Sequence, residues 1–402
     1  MTENNKLILE LSLNWQSEYT EHSDRIIFAT NNIDNLTLPE NLKSISSNMP
    51  IDETVIAEFK PGSLIEYHAD RLIQLPFDAI QKLGSPGFVL QLRVGRFYPQ
   101  RIIAGVLNID QHSVQPMRVV GIDDSSFTVD LNHPLSNQAL QVGIRRINPP
   151  GNGSRFPKIT KAPLIAAFHS GIGLQKTFKQ GPDFYYTGTF KRQDSVNDAI
   201  FYQQRRMVDH IDQSASDTIR QIYQSQLYPG MRVLDLMSSW QSHLPREITE
   251  LQVTGLGMNQ AELSANNSLH DYIVHDLNQQ PALPFSDDYF DVTLCSLSIE
   301  YLIEPLKVLK EVVRVTRPGG KILVSFSNRF FPTKAIAIWQ ELHPFERLGF
   351  VIDLFRRTPG LVDIKTESLQ GQPRAANDIY STQLESGDPV FVVSATIHQH
   401  SH

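Results

Sequence analysis

The stretch Arg232 to Pro245, RVLDLMSSWQSHLP, constrains the fold more than any other part of this chain. Val233 to Leu236 read as a buried strand that runs into a turn of small residues at Ser238 and Ser239 and then into a helix. That strand-turn-helix opens a nucleotide-binding α/β sheet. Tyr272 to Asp276 repeats the strand-then-acid pattern, and Phe290 to Cys295 is a third apolar run, preceded by the polar turn Ser286-Asp287-Asp288. Pro318-Gly319-Gly320 then turns the chain into a fourth, Lys321 to Phe326. Pro305 to Val315 is an amphipathic scaffold helix, with Leu306, Leu309, Val312 and Val313 on one face and Lys307, Lys310, Glu311 and Arg314 opposite. Strands alternating with helices imply a mostly parallel sheet covered on both faces, a Rossmann-like α/β domain over residues 199–397.

Four segments, VLDLMSS, HDLNQQPALPFSDDYFDVTLC, PLKVLKEVVRV and RPGGKILVSF, resemble the class I S-adenosylmethionine (SAM)-dependent methyltransferases. The string LDLMSSWQSHLP, with SFSNRFFPTKAIAIW at Ser325 to Trp339, is similar to a type 11-like branch found in plants and in photosynthetic or proteobacterial microbes. The resemblance implies SAM as cofactor. It puts Asp235 and the loop Met237, Ser238, Ser239, Trp240 at the methionine end, Asp276 with the backbone of Leu277 at the adenine, and Ser296 beside them. Two positions depart from the family. Its loop after the first strand is Gly-Cys-Gly-like, because a residue without Cβ lets backbone approach a ligand. The position of its ribose-binding acid is occupied here by Gly257, with Asn259 as a substitute donor.

The sulfonium of SAM activates its own methyl, so an enzyme mainly aligns the acceptor, and a base is needed only if the acceptor must lose a proton. Ligands of open α/β sheets bind at the carboxyl ends of the strands, where the candidates are His243, Glu300, Tyr301, Asn328 and Arg329. Trp240 either stacks on the ligand or packs in the core. Arg329 either neutralises an acidic substrate or pairs with a nearby carboxylate. In the helical segment Ala199 to Ile219, Tyr202, Arg206, His210 and Asp212 are the polar groups to watch, with His210 between Asp209 and Asp212 as a possible base.

Upstream, the alternation Leu7, Leu9, Leu11, Leu13 gives a half-buried strand, Leu38 to Asn48 a short helix opened by Pro39, and Glu53 to Phe59 another strand. VVGIDDSSFTVDLNHPLSNQAL then carries Asp130, Asn132, His133, Pro134, Leu135 and Leu140 into a strand from Gln141 to Ile147. This wording resembles FKBP-type prolyl isomerases with an inserted flap, which implies an α+β FKBP-like module over residues 1–147 with a β insert at about 77–135 and Tyr67 as its pocket tyrosine. Residues 148–198 read as linker and cover. Their aromatics Phe184, Tyr185, Tyr186 and Phe190 lie either over the active site or in the domain interface.

At 402 residues the chain has room for two or three domains. A net charge of −7 without a basic block speaks against a nucleic-acid or anionic-membrane partner. The start MTENNKLILELSLNW lacks a signal peptide's basic and apolar regions and no long apolar run follows, which suggests a cytoplasmic protein. Cys295, the single cysteine, excludes an internal disulfide and a cysteine metal cluster, and the tail 398–402, HQHSH, reads as a disordered end, leaving no metal site. Together these features suggest a SAM-dependent methyltransferase of small-molecule or polypeptide acceptors carrying an FKBP-like module. The rival is a prolyl isomerase or chaperone-like binding protein whose methyltransferase sheet is degenerate. A nicotinamide-linked enzyme fits less well, because no G-x-G-x-x-G follows any strand.

Overall fold

A computed structural model of the chain describes residues 7–31, 36–42, 49–80, 91–148, 156–159, 162–179, 181–375, 378, 380, 381, 383, 384 and 386–398. The tail histidines beyond His398 and the second half of the expected helix Leu38–Asn48 lie outside them; the described part of that helix is a single 3-10 turn, Glu40–Leu42.

Among the described residues, fifteen strands and seven α-helices follow one another as β1 (Leu7–Gln16), β2 (Thr20–Thr30), β3 (Thr54–Phe59), β4 (Leu72–Pro76), β5 (Phe97–Pro99), β6 (Pro116–Ile122), β7 (Ser126–Asp130), β8 (Leu140–Ile147), α1 (Pro163–His169), α2 (Asp198–Gln203), α3 (Gln213–Gln224), β9 (Arg232–Leu236), β10 (Gln252–Gly257), α4 (Gln260–Ala265), β11 (Asp271–Val274), β12 (Phe290–Ser296), α5 (Pro305–Val315), β13 (Thr316–Phe326), α6 (Ala337–Glu341), α7 (Pro344–Arg356), β14 (Leu361–Gln370) and β15 (Val390–Ile397). Eleven strands make one sheet in the order β11-β10-β9-β12-β13-β15-β14-β2-β1-β8-β3. From β11 to β13 it is parallel, and its central strands β9 and β12 are buried along almost their whole length, as a sheet covered on both faces requires.

Beyond β13 the expectation of a mostly parallel sheet fails. Strand β15 runs antiparallel to both β13 and β14, β14 takes β2 in parallel, and β2, β1, β8 and β3 continue antiparallel, so five of the ten pairings are of each kind. The strands expected as an FKBP-like sheet of their own therefore extend the α/β sheet. A buried polar network pins the seam. Asp24 of β2 accepts Trp15 Nε1 (2.9 Å), Gln175 Nε2 (2.9 Å) and Ser368 Oγ of β14 (2.7 Å). Beside it His22 joins Ser17 Oγ (2.9 Å) to Thr366 Oγ1 of β14 (2.7 Å). A strand shifted by one residue would turn these groups to the wrong face, so the network specifies register.

Strands β4 to β7 form a separate four-stranded sheet, β4-β7-β6-β5; β5 to β7 fall in the region expected as a flap and β4 just before it. It is tied to the α/β part: buried Arg96, just before β5, pairs with buried Glu346 of α7 at 2.8 Å, and the Phe97 amide donates to the same carboxylate oxygen (3.1 Å). Phe184, Tyr185 and Phe190 settle on α7 too, Phe184 meeting Phe350 edge-on with centroids 5.4 Å apart, and Tyr186 donates its hydroxyl to Glu341 of α6, so these aromatics pack against α6 and α7 and not at the carboxyl ends of the parallel strands. Helix α5 buries Val308, Leu309, Val312, Val313 and Val315; Leu306 is only partly buried. Helix α7 and strand β14 were invisible to periodicity. Every residue from Phe345 to Phe355 of α7 is buried, so no polar stripe marks its period.

Candidate functional site

The carboxyl ends of β9, β10 and β12 open into a cavity of about 680 Å³, inside the usual range for a drug-sized ligand. Its floor comes from the loop after β9, its flank from Gly257 to Glu262 and from His275 to Asn278, and its roof from α2 and the segment to His210, with Asn328 to Pro332 and Tyr380 closing the far side.

Asp235, the penultimate residue of β9, is 2% exposed and accepts two serine hydroxyls on one oxygen, Ser238 Oγ at 2.5 Å and Ser242 Oγ at 2.6 Å. Asn266 in turn donates to Ser242 Oγ (2.8 Å) and to the Ser239 carbonyl (2.9 Å). Burial pushes the Asp235 carboxyl up to about 6, against the pull of the serines. A group with its pKa raised in this way is ionised above about pH 6 and neutral below it. A ligand that offers this carboxyl an ammonium group, which favours the ionised form, is therefore expected to bind more weakly as the pH falls from 7.5 to 5. Calorimetric titration of S-adenosylhomocysteine at both pH values checks this: the affinity should drop about tenfold, whereas Asp235→Asn should show no such drop.

The loop replaces glycines by a different route. Met237, His243 and Leu297 all sit at positive φ (59°, 50° and 55°) without being glycine, and all three line the cavity. Left-handed backbone in side-chain-bearing residues is costly and concentrates at functional sites. The close approach that a loop glycine would permit is supplied from the neighbouring strand: a Cβ built on Gly257 would run into the carbonyl oxygen of Ser238. The Ser238 amide holds the loop there by donating to the Leu256 carbonyl (2.8 Å). No side chain, and so no ribose-binding acid, fits at position 257.

The residue that sequence reasoning missed is Glu262, in the first turn of α4. Its carboxylate lies on the cavity wall, taking Ser239 Oγ (2.7 Å) on one oxygen and the Arg206 amide (2.6 Å) on the other. The pattern N-x-x-E at Asn259 and Glu262 reads as an ordinary capping box, which hides it. Asn259 does cap α4, accepting from the Ala261 and Glu262 amides (2.9 and 3.1 Å), and its amide group donates to the Tyr202 carbonyl (2.7 Å). Its side chain thus ties roof to flank.

Other expected residues fall out as follows. Met237, Ser238, Ser239, Asp276, Leu277 and Ser296 line the cavity. Asp276 accepts the Asn278 amide (2.9 Å) and Gln279 Nε2 (2.8 Å), and Ser296 Oγ shares a hydrogen bond with Tyr223 (2.7 Å). Trp240 neither stacks in the cavity nor joins the core: its Nε1 donates to the Val208 carbonyl (3.0 Å), fastening the roof. Glu300 is not on the wall. It is 1% exposed behind Tyr301, one of its oxygens has no hydrogen-bond partner among the described residues, and burial raises it to about 7. Tyr301 does line the cavity, its hydroxyl oxygen accepting the Phe331 amide (2.9 Å).

His210 and His243 both reach the cavity. Burial depresses both, His243 to about 4, so each imidazole is neutral near pH 7 and able to accept a proton. His243 Nδ1 meets Ser216 Oγ at 2.9 Å, and the His210 ring lies edge-on to Phe331. The expected carboxylates of His210 are otherwise engaged. Asp209 accepts Gln241 Nε2 (2.9 Å), and Asp212 caps α3 through the Ala215 amide (2.9 Å) and pairs with Arg374 (3.3 Å). Arg329 pairs with Asp388 (3.0 Å) and lies over Tyr380. Tyr67 is 37% exposed in the N-terminal half and is not part of this cavity. Among the described residues no group of three or more His, Cys, Asp or Glu is placed to hold a metal, and no helix is long and apolar enough to cross a membrane.

Comparisons with known proteins bear on this cavity. Residues 237–324 match the family model described as a methyltransferase domain. A demethylmenaquinone methyltransferase of Renibacterium salmoninarum is 35% identical over 105 residues, 26% of this chain and 44% of that protein, so less than half of that relative is spanned. A ubiquinone/menaquinone biosynthesis C-methyltransferase, UbiE, of Laribacter hongkongensis is 25% identical over 209 residues, 49% of this chain and 79% of the other. Among solved structures, an arsenic(III) S-adenosylmethionine methyltransferase of Chlamydomonas reinhardtii aligns with 47% of this chain and 73% of its own at 18% identity and a TM-score of 0.29. A SAM-dependent methyltransferase of Thermotoga maritima, possibly acting on histamine, aligns with 46% and 88% at 17% and 0.33. The family match runs from the loop after β9 into β13, so the likeness to a methyltransferase domain falls on the stretch that supplies the cavity floor and flank, while Asp235, the roof and the far side lie outside it.

Proposed function

We propose that the chain is a SAM-dependent methyltransferase acting on a small, planar acceptor. The observation that carries this reading is the cavity at the carboxyl ends of β9, β10 and β12, with Asp235 and Asp276 on its walls and the Ser238 carbonyl laid against Gly257. The residues suit SAM: Asp235 and its serine loop for the methionine end, Glu262 for the ribose diol in place of the acid that position 257 excludes, and Asp276 with Leu277 for the adenine. When bound, the cofactor supplies an activated methyl group.

Tyr202, Tyr301, Phe330, Phe331 and Tyr380 on the remaining wall favour a flat, apolar acceptor, in keeping with relatives named for quinone methylation. His243, held by Ser216, is the base available to an acceptor that must lose a proton. A second reading keeps the N-terminal half as an FKBP-like polypeptide-binding or isomerase module. The contact that favours it joins Asn132 of the closing motif, by its side chain, to both the amide and the carbonyl of His68 (2.9 Å each), next to Tyr67.

The test is calorimetric titration of S-adenosylhomocysteine into the full-length protein and into Asp276→Ala. Wild type should bind and the variant should bind about ten- to hundredfold more weakly, the effect of removing a charged hydrogen-bonding partner. No binding by wild type sinks the methyltransferase reading and moves the weight to the second.

A further inference from the structure

We propose that Arg206 is a carboxylate-binding residue of the cavity, an anion fork set into the roof. The inference rests on the methyltransferase reading and names a subsite within it. Arg206 lines the cavity, and its guanidinium lies between two rings, with Cζ 4.3 Å from the Phe201 centroid and 5.5 Å from that of Phe331. Its Nη1 is spent on the backbone carbonyls of Phe201 (3.1 Å) and Gln204 (3.3 Å). That leaves the Nε–Nη2 edge, which matches a carboxylate with two parallel hydrogen bonds. Among the described residues no carboxylate forms an ion pair with this guanidinium, and Glu262 touches only the Arg206 amide.

Arg329, the other arginine on the cavity lining among the described residues, is already neutralised, as is the nearby Lys334. Arg329 has Asp388 at 3.0 Å, and Lys334, buried behind the wall, has Asp194 and Asp198 at 3.1 Å each. A positive charge that is ring-clamped, fastened at one nitrogen and left unpaired at its bidentate edge is preorganised for an anion. The carboxylate comes either from the methionine end of the cofactor or from the acceptor.

The experiment titrates three probes by calorimetry into the full-length wild type, Arg206→Gln and Arg206→Lys. They are S-adenosylhomocysteine, 5′-methylthioadenosine, which is the same nucleoside without the amino-acid end, and benzoate added to protein saturated with S-adenosylhomocysteine. If the cofactor supplies the anion, Arg206→Gln binds S-adenosylhomocysteine about ten- to hundredfold more weakly, with methylthioadenosine unchanged. Lysine should restore part of that loss, since it keeps the charge without the fork. If the acceptor supplies it, both nucleosides bind the variants as they bind wild type and benzoate binding is lost. Unchanged affinity for all three probes overturns the proposal. So does a parallel loss of both nucleosides in both variants, because Arg206 then acts only through the shape of the roof. A wild type that binds neither nucleoside brings down the methyltransferase reading, and this inference with it.

Discussion

Replacing Gly257 by aspartate is expected to weaken binding of S-adenosylhomocysteine at least a hundredfold, although it restores the acid that the methyltransferase resemblance puts at that position. The side chain has nowhere to go. Its Cβ would occupy the place of the Ser238 carbonyl oxygen, and that carbonyl belongs to a loop fixed by the Ser238 amide on Leu256 and by Ser238 Oγ on Asp235. Making room would move Met237, already at positive φ, and would take a donor from a carboxylate that is 2% exposed. Overpacking and a lost hydrogen bond to a charged group together cost about 3 kcal/mol or more. Gly257→Ala should lose nearly as much, which separates crowding from charge, and thermal unfolding of both variants should show the same ranking. An aspartate variant that binds as tightly as wild type would mean that the loop yields and that the ribose acid was never excluded.

Asp24→Ala is expected to destabilise the fold by about 4 kcal/mol, because it strands three buried donors at once, Trp15 Nε1, Gln175 Nε2 and Ser368 Oγ. Those donors come from β1, from the segment after α1 and from β14, so the loss falls on the seam between the N-terminal strands and the α/β sheet. Asp24 also carries a pH signature. Burial raises its carboxyl from 3.8 to about 6, so its contribution to stability is fully present below pH 3.8 and is lost as the pH rises through 6. Chemical denaturation of wild type and Asp24→Asn between pH 4 and 7 should show the asparagine variant with a flatter profile. If Asp24→Ala unfolds at the same denaturant concentration as wild type, the network does not hold the seam.

The elements legible in the sequence are those whose signal is local. Val233 to Leu236, Phe290 to Cys295 and Lys321 to Phe326 read as buried strands and fall in β9, β12 and β13, and Pro305 opens an amphipathic helix that is α5. Helix α7 gave no signal because it is buried on every side. The mixed sheet gave none because β14 chooses β2 as its neighbour through Asp24, His22, Ser368 and Thr366, side chains some 344 positions apart along the chain.

The site divides along the same line. By itself, the sequence determined that an acid stands near the end of a buried strand at Asp235, that a small-residue turn follows it, and that another acid stands at Asp276, because each is written within a few residues. Only the tertiary structure decided which groups face the cavity. Glu300 follows a strand as Tyr301 does and yet turns into the interior, Trp240 fastens the roof, and Glu262 reaches the wall from a helix. The reason is steric: the space beside Gly257 is taken by a carbonyl on the adjacent strand's loop, and no local pattern records what a neighbouring strand brings close.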